Sequence, residues 1–249
     1  MKYKTWNEFW GEFLQVTFHV GHPDLWPARQ RKAIWIQKHF QLGPGAKILD
    51  LGCGDGMIDI LLSRMGFDVT AIDRNSNVLE IAKTTDDTKQ VKFIASDLNE
   101  VEFDPHSFDA ILFIEASGLM RKADDLKIFQ KVHSWLRPKG RFILDVPETV
   151  ELKNSWIKEF PMGTARGVSG FDPTTRIQDI QFYFKPHDED EFGIFDPYDL
   201  EKGDVSGIMR YLYPKTEIIQ ILEKIEFKTS EIDHYYEKNY IGLLATKNP

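Results

Sequence analysis

The chain has a single cysteine, Cys53, in 249 residues. That excludes a disulfide framework, a cysteine-built zinc cluster and a radical iron–sulfur site. It has no apolar run of about 18 residues, the length a membrane-spanning helix needs. The opening Met-Lys-Tyr-Lys-Thr-Trp-Asn-Glu lacks the apolar stretch of a secretory signal, so a soluble, cytoplasmic protein is expected. A basic excess is also missing: 31 Lys and Arg stand against 39 Asp and Glu, a net charge of −8. That balance opposes a polyanionic partner such as nucleic acid. With 42% hydrophobic residues, the chain can bury a full core and reads as one domain with additions.

Residues 47 to 56 read Lys-Ile-Leu-Asp-Leu-Gly-Cys-Gly-Asp-Gly, an aliphatic run breaking into alternate glycines. Gly52, Gly54 and Gly56 remove side chains where a strand must turn sharply into a helix, predicted over Met57 to Met65, and where a ligand approaches backbone amides. A dinucleotide fingerprint would need G-x-G-x-x-G. Its third glycine is absent, because Met57 stands there, and this opposes a nicotinamide cofactor. Asp68 to Asp73 is a short apolar strand ending in an acid about 20 residues past the loop, the separation that lets a carboxylate accept both ribose hydroxyls. A third strand is expected over Val91 to Leu98, with Asp97 near its end. A buried fourth runs from Phe108 to Glu115, and a turn at Leu136 to Gly140 leads into a fifth over Arg141 to Val146. Strands alternating with helical patterns at this spacing argue for a doubly wound parallel sheet, with ligands at the carboxyl ends of its strands.

The segment Leu-Asp-Leu-Gly-Cys-Gly-Asp-Gly, followed in order by Asp73 and Asp97, resembles the class I S-adenosylmethionine-dependent methyltransferases. The resemblance implies an α/β fold with a mostly parallel, seven-stranded doubly wound sheet. It implies S-adenosyl-L-methionine as cofactor and S-adenosyl-L-homocysteine as product. The cofactor residues that follow are Asp50, Gly52, Cys53, Gly54, Asp73, Arg74, Asp97, Leu98 and Glu115. Asp73 would hold the ribose, Asp97 the adenine amino group, and Leu98 would flank the ring. The whole chain, 1–249, is expected to form one methyltransferase domain: a helical cap over 1–40, a cofactor-binding core over 41–147, an antiparallel β insertion over 148–214, and a last helix and strands over 215–249.

Two regions lie outside the common core. Thr5 to Phe18 and Asp24 to Phe40 have helical spacing and carry aromatic stripes, which bury area in most proteins and could here also form a lid. Arg29 would then face the methionine carboxylate of the cofactor. Between the fifth strand and the last helix, stretches around Gly170 to Arg176, Ile177 to Phe184 and Ile208 to Tyr213 read as hairpins. They resemble the strands that roof the active site in a small-molecule branch of the family. Within them, residues 187–204 hold eight acids and one lysine, either a solvated loop or a surface that steers a cationic amine.

The expected reaction is in-line displacement of a sulfonium methyl by a nitrogen or oxygen nucleophile of a small molecule, with no metal. Candidates for a base are His19, His22, Glu148, Tyr211 and Tyr213, and candidates for substrate contact are Arg210 and Tyr213. Glu115-Ala116-Ser117-Gly118 replaces the Asn/Asp-Pro-Pro-aromatic turn of enzymes that methylate exocyclic base amines. Cys53 lies inside the glycine loop, where a packed thiol is a better reading than the nucleophile that carbon-5 methylation requires. Alternatives are a protein or RNA methyltransferase docking through the basic series Arg121 to Arg141, an NAD-dependent oxidoreductase, and a non-catalytic cofactor-binding protein. The acceptor and the oligomeric state are left open.

Overall fold

The computed structural model describes residues 26–116, 122–147, 153–160, 163–186, 193–195, 208–233 and 240–249. The expected helix over Thr5 to Phe18 lies outside them, as do His19, His22 and Glu148 and most of the acidic stretch over 187–204. The described chain opens with helix α1 (Trp26–Phe40) and continues into β1 (Lys47–Leu51), α2 (Met57–Arg64), β2 (Asp68–Asp73) and α3 (Ser76–Thr85). Then come β3 (Lys92–Ala95), β4 (Phe108–Phe113), α4 (Lys122–Trp135) and β5 (Leu136–Pro147).

These strands form a seven-stranded sheet in the order β11-β12-β5-β4-β1-β2-β3, closed by β11 (Phe227–Ile232) and β12 (Tyr240–Lys247). Strands β1 to β5 pair in parallel, whereas β12 runs antiparallel to both β5 and β11. The order reverses between β1 and β4, the switch point at which such sheets bind ligands. Strand β1 sits there because Ile48, Leu49 and Leu51 are buried, as expected of an interior parallel strand covered on both faces.

Each face of the sheet carries its own core. On one, Phe113, Phe129, Trp135, Phe142 and Tyr213 pack with Phe227 and with Leu222 of α5 (Lys215–Lys224). On the other, Ala33, Ile36 and Phe40 of α1 join Leu62, Val69 and Leu112. Full burial of one such large side chain stabilises the fold by ~1.5–3 kcal/mol. Helix α1 is therefore a structural layer of the sheet.

Three strands, β3, β4 and β5, have limits that differ from the sequence reading. Strand β3 ends at Ala95, because the Asp97 carboxylate accepts the Asn99 N–H at 2.9 Å and folds the chain into a turn. Strand β4 ends at Phe113, since Glu115 adopts a left-handed φ of 60° that breaks the ladder. Strand β5 starts at Leu136, and the turn expected there is a bulge within it: Phe108 pairs Leu136, but Ala110 already pairs Arg141.

The insertion forms a second, antiparallel sheet from β6 (Lys153–Phe160), β7 (Gly163–Asp172), β8 (Ile177–Pro186), β9 (Gly193–Phe195) and β10 (Ile208–Tyr211). Asp172 organises the β7–β8 turn by accepting the Thr174 N–H and the Thr175 hydroxyl, both at 2.8 Å. Arg210 ties this sheet to the main one, donating to Gln178 at 3.0 Å and to the Tyr240 hydroxyl at 2.7 Å.

Candidate functional site

The glycine loop leaves the end of β1 at the switch point. The N–H groups of Gly52 and Cys53 both donate to the Ile72 carbonyl, at 2.8 and 2.9 Å, binding the loop to the end of β2. Gly54 has φ of 55°, and a Cβ built on it meets nothing within 4 Å. The missing side chain thus leaves open space in front of the loop. Gly56 is glycine for another reason: its Cβ would lie 2.6 Å from Phe93 and 2.8 Å from Ala82.

Asp73 ends β2 facing this loop. One carboxylate oxygen accepts the Gly54 N–H at 2.9 Å and the other the Asn75 N–H at 2.8 Å. Burial raises its pKa, and the N–H donors from Asn75 and Gly54 oppose that rise. Each oxygen keeps acceptor capacity beyond its one backbone bond. The next residue, Arg74, is exposed, and its charge favours the ionised Asp73. The Asp73 carbonyl accepts the Ser96 N–H at 3.1 Å, which brings the β3 turn beside it. In that turn Asp97 is half-buried, and Leu98 packs against the core.

Helix α1 supplies the cations. Arg29 lies 3.2 Å from Asp55 in the glycine loop, and the buried Lys32 lies 3.0 Å from Glu115 beyond β4. Arg29, read from sequence as facing a cofactor carboxylate, is here engaged by a carboxylate of the loop itself. Glu115 also donates its N–H to the buried Asp145 at 2.7 Å. Neither Lys32 nor Asp145 was singled out by motif. The acid inside the aliphatic run Phe142-Ile143-Leu144-Asp145-Val146 was the available signal for Asp145.

Cys53 fits the reading of a packed thiol. Burial, then the neighbouring acidic side chains, push its pKa well above the usual thiol value, so it is held as the protonated, non-nucleophilic form.

The residues proposed for acceptor or base chemistry fall elsewhere. Tyr213 is 1% exposed and donates its hydroxyl to Asp125 at 3.0 Å, so it is a core residue rather than a substrate contact or base. Burial first, then Asp125, pushes its pKa far up. Tyr211 donates to Glu217 at 2.7 Å beside Lys122, and burial with the Glu217 bond raises its pKa, which opposes a role as base. Arg210 holds Gln178 and Tyr240, as described, and acts as a tie between the sheets. The basic series is largely engaged: Lys122 pairs with Glu217, Lys127 with Asp124, Lys131 with Glu102 and Arg137 with Asp109. Arg141 donates to the His39 and Phe40 carbonyls.

A glycine loop after β1, an acid ending β2 and a further acid after β3 are gathered at the switch point of a seven-stranded sheet, the arrangement expected from the resemblance to class I S-adenosylmethionine-dependent methyltransferases. Residues 48–140 match a methyltransferase domain family. The Bacillus subtilis (strain 168) protein YqeM, named as a methyltransferase, is 28% identical over 163 residues, covering 60% of this chain and 64% of that protein. A ubiquinone biosynthesis O-methyltransferase of Xanthomonas campestris pv. campestris (strain B100) is 33% identical over 104 residues, covering 41% of this chain and 43% of its own. The chain thus spans less than two thirds of the length of these curated relatives. The fold is similar to a crystal structure of an S-adenosylmethionine-dependent methyltransferase from Clostridium acetobutylicum ATCC 824, with TM-score 0.71, 18% identity and 98% and 99% of the two chains covered. It is also similar to CalS10, an amino pentose methyltransferase from Micromonospora echinaspora solved with S-adenosylmethionine bound, with TM-score 0.69, 14% identity and 88% and 92% covered. Residues 48–140 thus carry the methyltransferase-domain match, and the fold over nearly the whole chain is similar to that of S-adenosylmethionine-dependent methyltransferases.

Proposed function

We propose that this protein transfers the methyl group of S-adenosylmethionine to a nitrogen or oxygen atom of a small molecule. The observation that carries the reading is the Asp73–Gly54 pair: a carboxylate with spare acceptor capacity, fixed by two backbone N–H bonds beside a loop position kept open. These residues fit the cofactor, with Asp73 holding the ribose hydroxyls, the amides around Gly52, Cys53 and Gly54 lining its amino-acid part, and Asp97 and Leu98 meeting the adenine. Asp50, Arg74 and Glu115 complete the charged surround.

When bound, the cofactor supplies an electrophilic methyl on a sulfonium. The chain's own contribution is alignment and exclusion of water, which can supply up to ~7–11 kcal/mol in favourable cases. Small-molecule acceptors are favoured by the antiparallel sheet fastened beside the core. Proteins of similar fold carrying names such as amino pentose methyltransferase and sugar N-methyltransferase also support it. The deciding experiment is a methyl-transfer assay against pooled amines, phenols and carboxylates, with Asp73→Ala as control. Transfer to a small molecule that vanishes in the control is expected. Transfer only to protein or RNA, or none despite cofactor binding, would overturn the reading.

A further inference from the structure

Beneath the glycine loop lies a carboxyl group with no donor. Asp59, the third residue of α2, is 0% exposed, and neither of its oxygens has a hydrogen-bond donor among the described residues. The polar group within bonding reach is another acid, Asp50 on β1, itself 7% exposed. Two ionised carboxylates only repel, and each would carry its full desolvation cost. One proton on Asp59 turns that repulsion into a charge-assisted O–H···O bond, and below about pH 7 the ligand-free protein holds a second proton on Asp50.

The surroundings fix which acid keeps it. Asp50 feels the Lys32 ammonium of α1, together with the negative charges of Asp73 and Asp55. Burial and then the charges of Asp50 and Asp55 act against an Asp59 anion, opposed by its own backbone N–H, and no cation among the described residues offsets them. Asp55 is already engaged by Arg29, Lys32 also reaches Glu115, and the Cys53 thiol facing the group stays protonated.

We propose that Asp59 is a protonated positioning residue that donates a hydrogen bond to Asp50, so that cofactor binding at the loop above is coupled to ionisation of Asp50 and release of its proton to solvent. The inference rests on the cofactor reading given above. Burial, the largest effect, pushes Asp50 up to about 7, against the pull of Lys32 and of the Asp59 bond. Burial and the neighbouring carboxylates hold Asp59 well above the usual range. An ammonium brought to the loop by the cofactor's amino-acid part stabilises the Asp50 anion, and the proton that leaves goes to buffer.

The test uses S-adenosylhomocysteine as the probe, with calorimetry in two buffers of different ionisation enthalpy at about pH 6.5, just below the Asp50 midpoint. The wild-type protein is expected to release more than half a proton per ligand bound. Asp59→Asn keeps a donor to Asp50 and cannot ionise, so its affinity near neutral pH should stay within about twofold of wild type. Asp59→Ala removes the donor and should move the affinity midpoint upward by roughly one pH unit. Binding without proton release, or a tenfold loss in Asp59→Asn, would overturn the inference while leaving the cofactor reading intact.

Absence of binding in the wild type would instead overturn that reading. The acid pair can then still be judged in the ligand-free protein. A raised folded pKa stabilises at low pH and loses that contribution as pH rises. The melting temperature of Asp59→Asn should therefore climb above that of wild type as pH increases from about 4 to 9, and a pH-independent difference would sink the protonated Asp59.

Discussion

Gly54 donates its backbone N–H to Asp73 at 2.9 Å, which joins the loop after β1 to the acid that ends β2. The bond orients the carboxylate while leaving lone pairs for a ligand. Asp73→Ala should weaken S-adenosylhomocysteine binding roughly ten- to a hundredfold, the range for hydrogen bonds to a charged group. Isothermal titration calorimetry measures this, with far-ultraviolet circular dichroism to show that the fold survives. Affinity within twofold of wild type would remove Asp73 from the site.

Two glycines of the same loop should respond in opposite ways. At Gly54 a methyl group meets nothing within 4 Å, so Gly54→Ala costs mainly the left-handed backbone, about 1–2 kcal/mol. Its Cβ would nevertheless occupy the space where a ligand has to approach, and binding should fall far more than stability. At Gly56 the φ of 66° is joined by contacts of 2.6 Å to Phe93 and 2.8 Å to Ala82, adding an overpacking cost of about 1–3 kcal/mol. Gly56→Ala should lower the melting temperature clearly more than Gly54→Ala. If the two variants melted alike and both bound normally, the loop would not be a ligand cradle.

Much of this arrangement was legible in the sequence. Interior parallel strands are buried on both faces, so β1, β2 and β4 stand out as apolar runs, and the acids that end two of the expected strands give the site its order. What escaped notice depends on contacts that span the chain. Lys32 and Glu115 are 83 positions apart, and no periodicity links a helix residue to the end of β4. Asp59 sat in plain view between Ile58 and Ile60, but its meaning depends on Asp50 lying under the same loop. Tyr213, expected as a base or substrate contact at the end of the insertion, is instead driven into the core beside Asp125 by the turn into α5.

That burial makes Tyr213 a stability residue. Tyr213→Phe removes a buried hydroxyl bonded to Asp125 at 3.0 Å and should cost about 1–3 kcal/mol in denaturant unfolding. Its pKa is raised by burial and by Asp125, so the folded state holds the phenolic proton more tightly than the unfolded chain does. The contribution is fully present below the unfolded tyrosine value of about 10 and is lost as pH rises beyond it. The wild type should therefore lose stability above about pH 10 more steeply than Tyr213→Phe. Parallel alkaline limbs for the two proteins would contradict the assignment.

Arg210 offers the sharpest choice between a substrate contact and a tie. Its guanidinium spans Gln178 on β8 and the Tyr240 hydroxyl on β12, at 3.0 and 2.7 Å. If that link is its role, Arg210→Met and Tyr240→Phe each break the same bond, and each should destabilise by about 0.5–1.5 kcal/mol. The double variant should then be little worse than the worse single one, a coupling that a double-mutant cycle in urea would resolve. Acceptor KM separates the two roles independently of stability. A tie predicts that both variants shift KM in parallel, through the placement of the insertion sheet. If Arg210→Met raised KM strongly while Tyr240→Phe left it unchanged, the guanidinium would be touching the acceptor, and the tie would be secondary.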